Sequence, residues 1–427
     1  MPKGESGPFY WQMLPFLPTL PFELSYPLLF GVLLVAGVVG GELARLLRLP
    51  RLIGYALVGL AAGPLANAMR IAPLIDEARI FVDLALGLVL FELGRRMDLR
   101  WMKRDWTLAA TGIAESSLSF VFVFGLLLWM GITPVRAGLA AAIAMTTAPS
   151  VLLFMSHETR SEGQVTERAL NLAALNGLLA SIVVTIMMGS AHYASARVDM
   201  ESAVLHPLYL FVGSLLLGGA MATFTRGIAR SVERSSDMHF TLIAGMVVAA
   251  VGLASLFKLP VILSLLAFGL FARNDERGHD LLNVNLAPIG RLLYIVLFVI
   301  TGASLSFDSL RVAGGLAVAL ALARFAGKFA GVMLFGPLGG LRWRQALGLG
   351  LALTPMSTLA LLLAHDIGKV FAGFEHDLGS AFIGAILLME LIAPFAVQWG
   401  LRIAGESLPD AAGHRAEPRM RTPPGRG

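Results

Sequence analysis

The sequence predicts an all-α polytopic membrane protein with about thirteen transmembrane helices. Three observations lead there. Of the 427 residues, 56% are hydrophobic and 14% are charged, where a soluble domain carries roughly 25% charge. Mean hydropathy is +0.75. The apolar residues also come in runs long enough to cross a bilayer, divided by short arginine-bearing loops.

The runs fall at about 26–44, 52–69, 79–94, 106–131, 135–155, 169–190, 205–224, 239–257, 260–272, 288–306, 313–335, 345–364 and 380–400. Arg45, Arg48 and Arg51 divide the first from the second, and Arg70 the second from the third. Arg95, Arg96, Arg100, Lys103 and Arg104 precede the fourth, and Arg136 opens the fifth. Arg160 and Arg168 precede the sixth, Arg197 the seventh, and Arg226, Arg230 and Arg234 the eighth. Lys258-Leu259-Pro260 is the weakest boundary, between the eighth and ninth. Arg273 and Arg277 come after the ninth, Arg311 after the tenth, Arg342 and Arg344 after the eleventh, and Lys369 after the twelfth. Loops after odd-numbered spans, with the tail, hold 22 of the 33 Lys and Arg, and the opposite face holds 8. That asymmetry places the N-terminus outside and the C-terminus in the cytoplasm.

Three domains are expected: an extracytoplasmic segment at 1–25, a membrane domain at 26–403, and a Pro-, Gly- and Arg-rich cytoplasmic tail at 404–427, expected to be disordered. The chain has no cysteine, which excludes disulfides, iron–sulfur ligation and thiol catalysis. The N-terminus lacks the basic region of a cleavable signal. The net charge of +5 resides in loop arginines and is no nucleic-acid signature. Gly59-x-x-x-Gly63 and Gly327-x-x-x-Gly331 allow close helix approach.

Two spans are interrupted alike. One reads Ala144-Met145-Thr146-Thr147-Ala148-Pro149-Ser150 and runs on to His157-Glu158. The other reads Ala352-Leu353-Thr354-Pro355-Met356-Ser357-Thr358 and runs on to His365-Asp366. Paired broken helices in two halves of a membrane chain point to a secondary transporter's midplane site. Unwound backbone there can replace an ion's hydration shell. Ionisable residues inside spans need a reason to be there. Arg324 and Lys328 share a helix face four residues apart and repel unless a polar cavity or an acid meets them. Glu390 lies deep in the last span, where Lys328 is a natural structural partner. Glu115 lies a third of the way into the fourth. Asp83 and Glu92 flank a span end, and Glu92 is spaced to pair with Arg96.

Leu49-Pro50-Arg51-Leu52-Ile53-Gly54-Tyr55-Ala56-Leu57-Val58-Gly59, Phe91-Glu92-Leu93-Gly94-Arg95-Arg96-Met97-Asp98-Leu99 and Leu297-Phe298-Val299-Ile300-Thr301-Gly302-Ala303-Ser304-Leu305 carry a family likeness. Over roughly residues 28–400 the chain resembles the monovalent cation:proton antiporters, in the branch of Kef-type potassium efflux systems and bacterial sodium/proton exchangers. The resemblance implies inverted repeats, a dimerisation subdomain and a mobile core, and two crossed broken helices at Thr146-Thr147 and Thr354-Ser357. It implies a basic residue facing the crossing, Arg324 or Lys328, a homodimer, and alternating access in a bacterial inner membrane. It also implies an acid after Asn176 in the sixth span, where this chain has Gly177, and a Gly-Glu-Phe element where it has Met356-Ser357-Thr358-Leu359.

Thr146, Thr147, Asn176, Gly177, Arg324, Lys328, Thr354, Ser357, Glu390 and Glu115 are therefore the candidate transport residues. The leading reading is a sodium or potassium/proton antiporter with its carboxylate moved to Glu390 or Glu115, with no cofactor beyond the transported ions. An anion or organic-acid transporter built on unopposed Arg324 and Lys328, and a transport-inactive membrane protein, are the alternatives. An enzyme is not supported. His157-Glu158 lacks the second histidine of a zinc-protease motif. His365, Asp366, Glu375, His376 and Asp377 read as a solvated loop, and Gly348-x-Gly350 as helix packing.

Overall fold

The computed structural model describes residues 26–68, 79–97, 105–195, 200–231, 236–274, 287–305, 307–356, 358–370 and 378–407. The N-terminal segment, most of the tail, Ser357 and the loop carrying Glu375, His376 and Asp377 lie outside these residues.

The fold is all helical. In chain order the helices are α1 (Tyr26–Leu46), α2 (Arg51–Ala68), α3 (Arg79–Arg96), α4 (Trp106–Trp129), α5 (Pro134–Ala144), α6 (Pro149–Glu158), α7 (Gln164–Ser195) and α8 (Met200–Ala229). They continue as α9 (Ser236–Leu256), α10 (Val261–Asn274), α11 (Ala287–Ala303), α12 (Phe307–Phe335), α13 (Trp343–Ala352), α14 (Thr358–Val370) and α15 (Ser380–Ala404). Among the described residues, seven segments are long and apolar enough to cross a membrane, with α5 and α6 counted as one, and three shorter apolar helices accompany them. The helices track the apolar runs and often extend past them, because a helix does not have to stop where the hydrocarbon does. Arg168, read from sequence as a loop arginine, is inside α7 and buried, where it pairs with Asp105 at 2.7 Å. The weak boundary at Lys258 is a true break: Lys258 takes a left-handed φ of 55° between α9 and α10.

Both interruptions carry a proline. Pro149 opens α6 and Pro134 opens α5, where a missing N–H costs nothing and the fixed φ suits a helix start. The residue before a proline is driven out of the helical region, and Ala148 has φ −73° and ψ 104°. α5 therefore stops and α6 restarts within the bilayer's depth. In the second break Pro355 lies in the unwound stretch between the end of α13 at Ala352 and the start of α14 at Thr358.

The helices sort into two bundles. α4, α5, α7, α12, α13, α14 and α15 pack on one another, and α1, α2, α3, α8, α9, α10 and α11 on one another. α6 and α7 belong to the first and line the seam: α6 meets α3 and α11 of the second, α7 meets α3, α8 and α10, and α15 meets α2. Both glycine pairs serve close packing. A Cβ at Gly63 would lie 2.6 Å from the Ala303 carbonyl, and Gly59 meets the Val299 carbonyl. A Cβ at Gly327 would lie 2.6 Å from the Ser119 Cα, and one at Gly331 would overlap the Glu115 backbone. Gly348 likewise packs on the Gly400 carbonyl, joining α13 to α15. Just past α15, the Glu406 carboxylate accepts from the Val165 and Thr166 N–H groups at 2.6 and 2.8 Å. It caps the exposed amides at the start of α7.

Gly331→Leu is expected to lower the thermal unfolding midpoint of the detergent-purified protein by an overpacking cost of about 1–3 kcal/mol. Gly245→Leu, where no atom stands within 4 Å of a new Cβ, is the matched control and should leave the midpoint unchanged.

Candidate ion site at the helix crossing

A helix ends with carbonyls that have no amide to meet, and these carry the negative end of the helix dipole. α5 ends at Ala144 and α13 at Ala352, both inside the protein, and carbonyls of the unwound residues just past these ends converge on one side chain. Arg324, on α12, donates from Nη1 to the Thr354 carbonyl at 2.6 Å. Its Nη2 donates to the Thr146 carbonyl at 2.5 Å and to the Pro355 carbonyl at 3.0 Å. The Ala148 N–H donates to the Pro355 carbonyl at 3.0 Å, so the two breaks touch directly. Thr146 and Thr354 act alike: each hydroxyl donates three residues back into its own half-helix, to Ile143 at 2.8 Å and Leu351 at 2.6 Å. Their side chains thus finish the half-helices, while their carbonyls hold Arg324.

One turn beyond Arg324, the Lys328 Nζ donates to Glu115 Oε2 at 2.7 Å. Lys328 is 1% exposed and Glu115 is fully buried. The two basic residues of α12 are reconciled by this division: carbonyls take the guanidinium and a carboxylate takes the ammonium. Lys328 has Glu115 as its partner in the role that sequence reading gave to Glu390. Gly327 and Gly331 flank Lys328 on the face that meets α4, and their lack of side chains lets the two helices close enough for the pair to form.

Asn176, on α7, links this pair to the crossing. Its Nδ2 donates to the Thr147 hydroxyl at 3.0 Å, and its Oδ1 accepts from the Ser116 hydroxyl at 2.8 Å. Ser119 donates to the Ala144 carbonyl at 3.0 Å, tying α4 to the end of α5. Thr147, Asn176, Ser116 and Glu115 are all fully buried. Gly177 turns to a different side of α7. A Cβ there would meet Leu266 of α10 and Leu359 of α14, each at 3.6 Å. The position where an acid is expected is therefore roomy and apolar. Glu390 is buried on α15, which packs on α12 and α13. Ser357 lies outside the described residues.

Ser116 and Ser119 were missed as site residues, although the sequence held a signal for them. Thr111, Gly112, Glu115, Ser116 and Ser119 form one small or polar stripe at helical spacing in an otherwise apolar span, and this is the face α4 buries. At the arginine-rich end, Glu92 meets Arg96 at 3.4 Å as its spacing predicts, and Arg95 at 3.6 Å as well. Among the described residues no group of three His, Asp or Glu is placed to hold a metal ion. What the crossing offers is a buried carboxylate–ammonium pair beside hydroxyl, amide and carbonyl oxygens.

The profile of the transmembrane sodium/hydrogen exchanger family matches residues 30–402. The chain belongs to that family. Exchangers of this kind are secondary transporters, not enzymes, and the protein is an integral membrane cation/proton antiporter. It is 24% identical over 380 residues to the ammonium/H(+) antiporter subunit AmhT of Alkalihalophilus pseudofirmus, covering 86% of this chain and 93% of that one. It is 23% identical over 442 residues to the high-affinity Na(+)/H(+) antiporter NhaS3 of Synechocystis, covering 91% and 93%. The fold is that of the sodium proton antiporter MjNhaP1 from Methanocaldococcus jannaschii, with a TM-score of 0.67 at 19% identity over 90% of this exchanger and 98% of that chain.

Removing one member of a buried ion pair leaves the other uncompensated, a cost of about 3–5 kcal/mol. Lys328→Met and Glu115→Leu singly should each destabilise the exchanger on that scale, and the double variant should recover most of the loss. A double-mutant cycle on thermal unfolding measures this.

Proposed function

We propose that the protein exchanges a monovalent cation, sodium or potassium, for protons by alternating access, with Glu115 as the proton-binding carboxylate and Lys328 as its internal counter-ion. One observation carries the reading: an ion pair with both members buried lies directly beside the crossing of the two broken helices. A cation that reaches Glu115 competes with the Lys328 ammonium. Electrostatic exchange of this kind needs a group that is charged in one step of the cycle and neutral in another. Asn176, Thr147 and the nearby carbonyls supply neutral oxygens for a partly dehydrated ion. The ammonium named in one relative adds that cation to those worth testing.

The anion alternative rested on Arg324 and Lys328 lacking opponents. Three carbonyls hold one and a carboxylate holds the other, so the geometry favours a cation. The core bundle that holds the crossing and the second bundle around α2 and α11 fit the expected division into moving and dimerising parts. The loop arginines support an N-terminus outside and a C-terminus in the cytoplasm of a bacterial inner membrane. We take the working form to be a homodimer that needs no cofactor.

Proteoliposomes with an internal pH dye test this. A pH gradient is imposed, and sodium, potassium, lithium or ammonium is added. The wild-type protein should dissipate the gradient with at least one cation. Glu115→Gln should abolish the response, while Glu390→Gln should retain it. Loss in Glu390→Gln with retention in Glu115→Gln would move the proton site to α15. No response to any cation, where a Gly177→Asp variant responds, would show an intact scaffold that has left exchange chemistry.

A further inference from the structure

The seam between the two bundles is built differently on the two sides of the crossing. On one side α6 runs from the crossing to the arginine-rich face, and every residue from Pro149 to Ser156 is buried. Phe154 stands six residues past Ala148, roughly 9 Å along the helix. Its ring meets three aromatic rings of the other bundle edge-on. Tyr55 of α2 lies at 5.7 Å with planes at 79°, Tyr294 of α11 at 5.7 Å and 81°, and Phe298 of α11 at 6.1 Å and 74°. Edge-to-face packing holds such rings in a fixed arrangement. Closer to the surface, the Glu158 carboxylate at the end of α6 accepts from the Arg51 N–H at 3.1 Å, the first amide of α2. Arg96 of α3 meets Glu167 of α7 at 3.3 Å. On the other side of the crossing, α14 packs mainly on α5, α7 and α15, all of its own bundle. Its Leu361, Leu362 and Ala364 are half-buried.

We infer that Phe154, caged by Tyr55, Tyr294 and Phe298, is the gate that closes the arginine-rich face, and that this structure is the state closed on that face. The inference rests on the antiport reading, since a gate needs a transported ion. The ring fills the route between the crossing and that face with apolar surface, which a hydrated ion does not cross. The two polar bridges outside it are exposed and therefore weak. They hold the seam shut without preventing it from opening. To present Glu115 to that face, the first bundle must draw Phe154 out of the cage and break both bridges.

The chain has no cysteine, so the double variant Phe154→Cys/Phe298→Cys carries two thiols alone. In proteoliposomes, cross-linking them with a short reducible dithiol reagent should stop cation-driven dissipation of the pH gradient, and reductant should restore it. The single variants should be insensitive to the reagent. A cross-linked protein that exchanges at its uncross-linked rate would overturn the gate while leaving antiport intact. Should the aromatic double variant fail to fold, Arg96→Cys/Glu167→Cys at the exposed end of the seam is read in the same way. Wild-type liposomes that exchange no cation would refute the antiport reading, and the gate with it.

Discussion

Two helix ends that meet inside a membrane leave carbonyl groups which neither water nor a neighbouring turn can satisfy, and in this protein one arginine meets that need. Each unsatisfied carbonyl at such depth costs several kcal/mol. Arg324 donates to three of them, from both broken segments. Its fixed charge offsets the negative ends of α5 and α13, and its planar fork fits several acceptors at once. The break in each span, the contact between the breaks and the polar cluster around them are tolerable because this cation is built in.

The position of Arg324 constrains the next turn of α12. Lys328 lies one turn on and shares its face, so it enters the same buried region. A second cation there needs its own anion, which α4 supplies as Glu115. The helices must be close for that, and Gly327 and Gly331 remove the side chains that would keep them apart. Asn176 then joins the pair to Thr147 in the first break. A change of charge at Glu115 is therefore felt by α4, α7, α12 and the crossing together.

The boundary between the bundles obeys another logic. At the crossing inside the core bundle, the charges of Arg324, Lys328 and Glu115 are buried and matched. Where α6 meets α2 and α11, the contacts along the seam are aromatic or exposed polar bridges, which bind modestly and can be remade. Such a division suits a molecule in which one part must stay rigid around an ion while moving against the other.

Much of this was legible in the chain. Composition and apolar runs determined a polytopic helical membrane protein, because length and hydropathy are local properties. The broken spans were legible because proline acts on its own backbone and on the residue before it. Arg324, Lys328 and Glu115 stood out because charges inside a span are costly, Thr147 because it sits in a broken span, and Asn176 through the family resemblance. Only the tertiary structure decided who pairs with whom. Sequence spacing gave Glu92 its Arg96 on the same helix, but no local rule joins Lys328 to Glu115, 213 residues apart. The same holds for Glu406 capping α7 and for Phe154 entering a cage drawn from α2 and α11. Those contacts are set by how whole helices pack. Gly177 marks the same divide. The resemblance implied an acid at this position, but that Asn176 faces the polar cluster while its neighbour faces leucines depends on the rotation of α7 in its bundle.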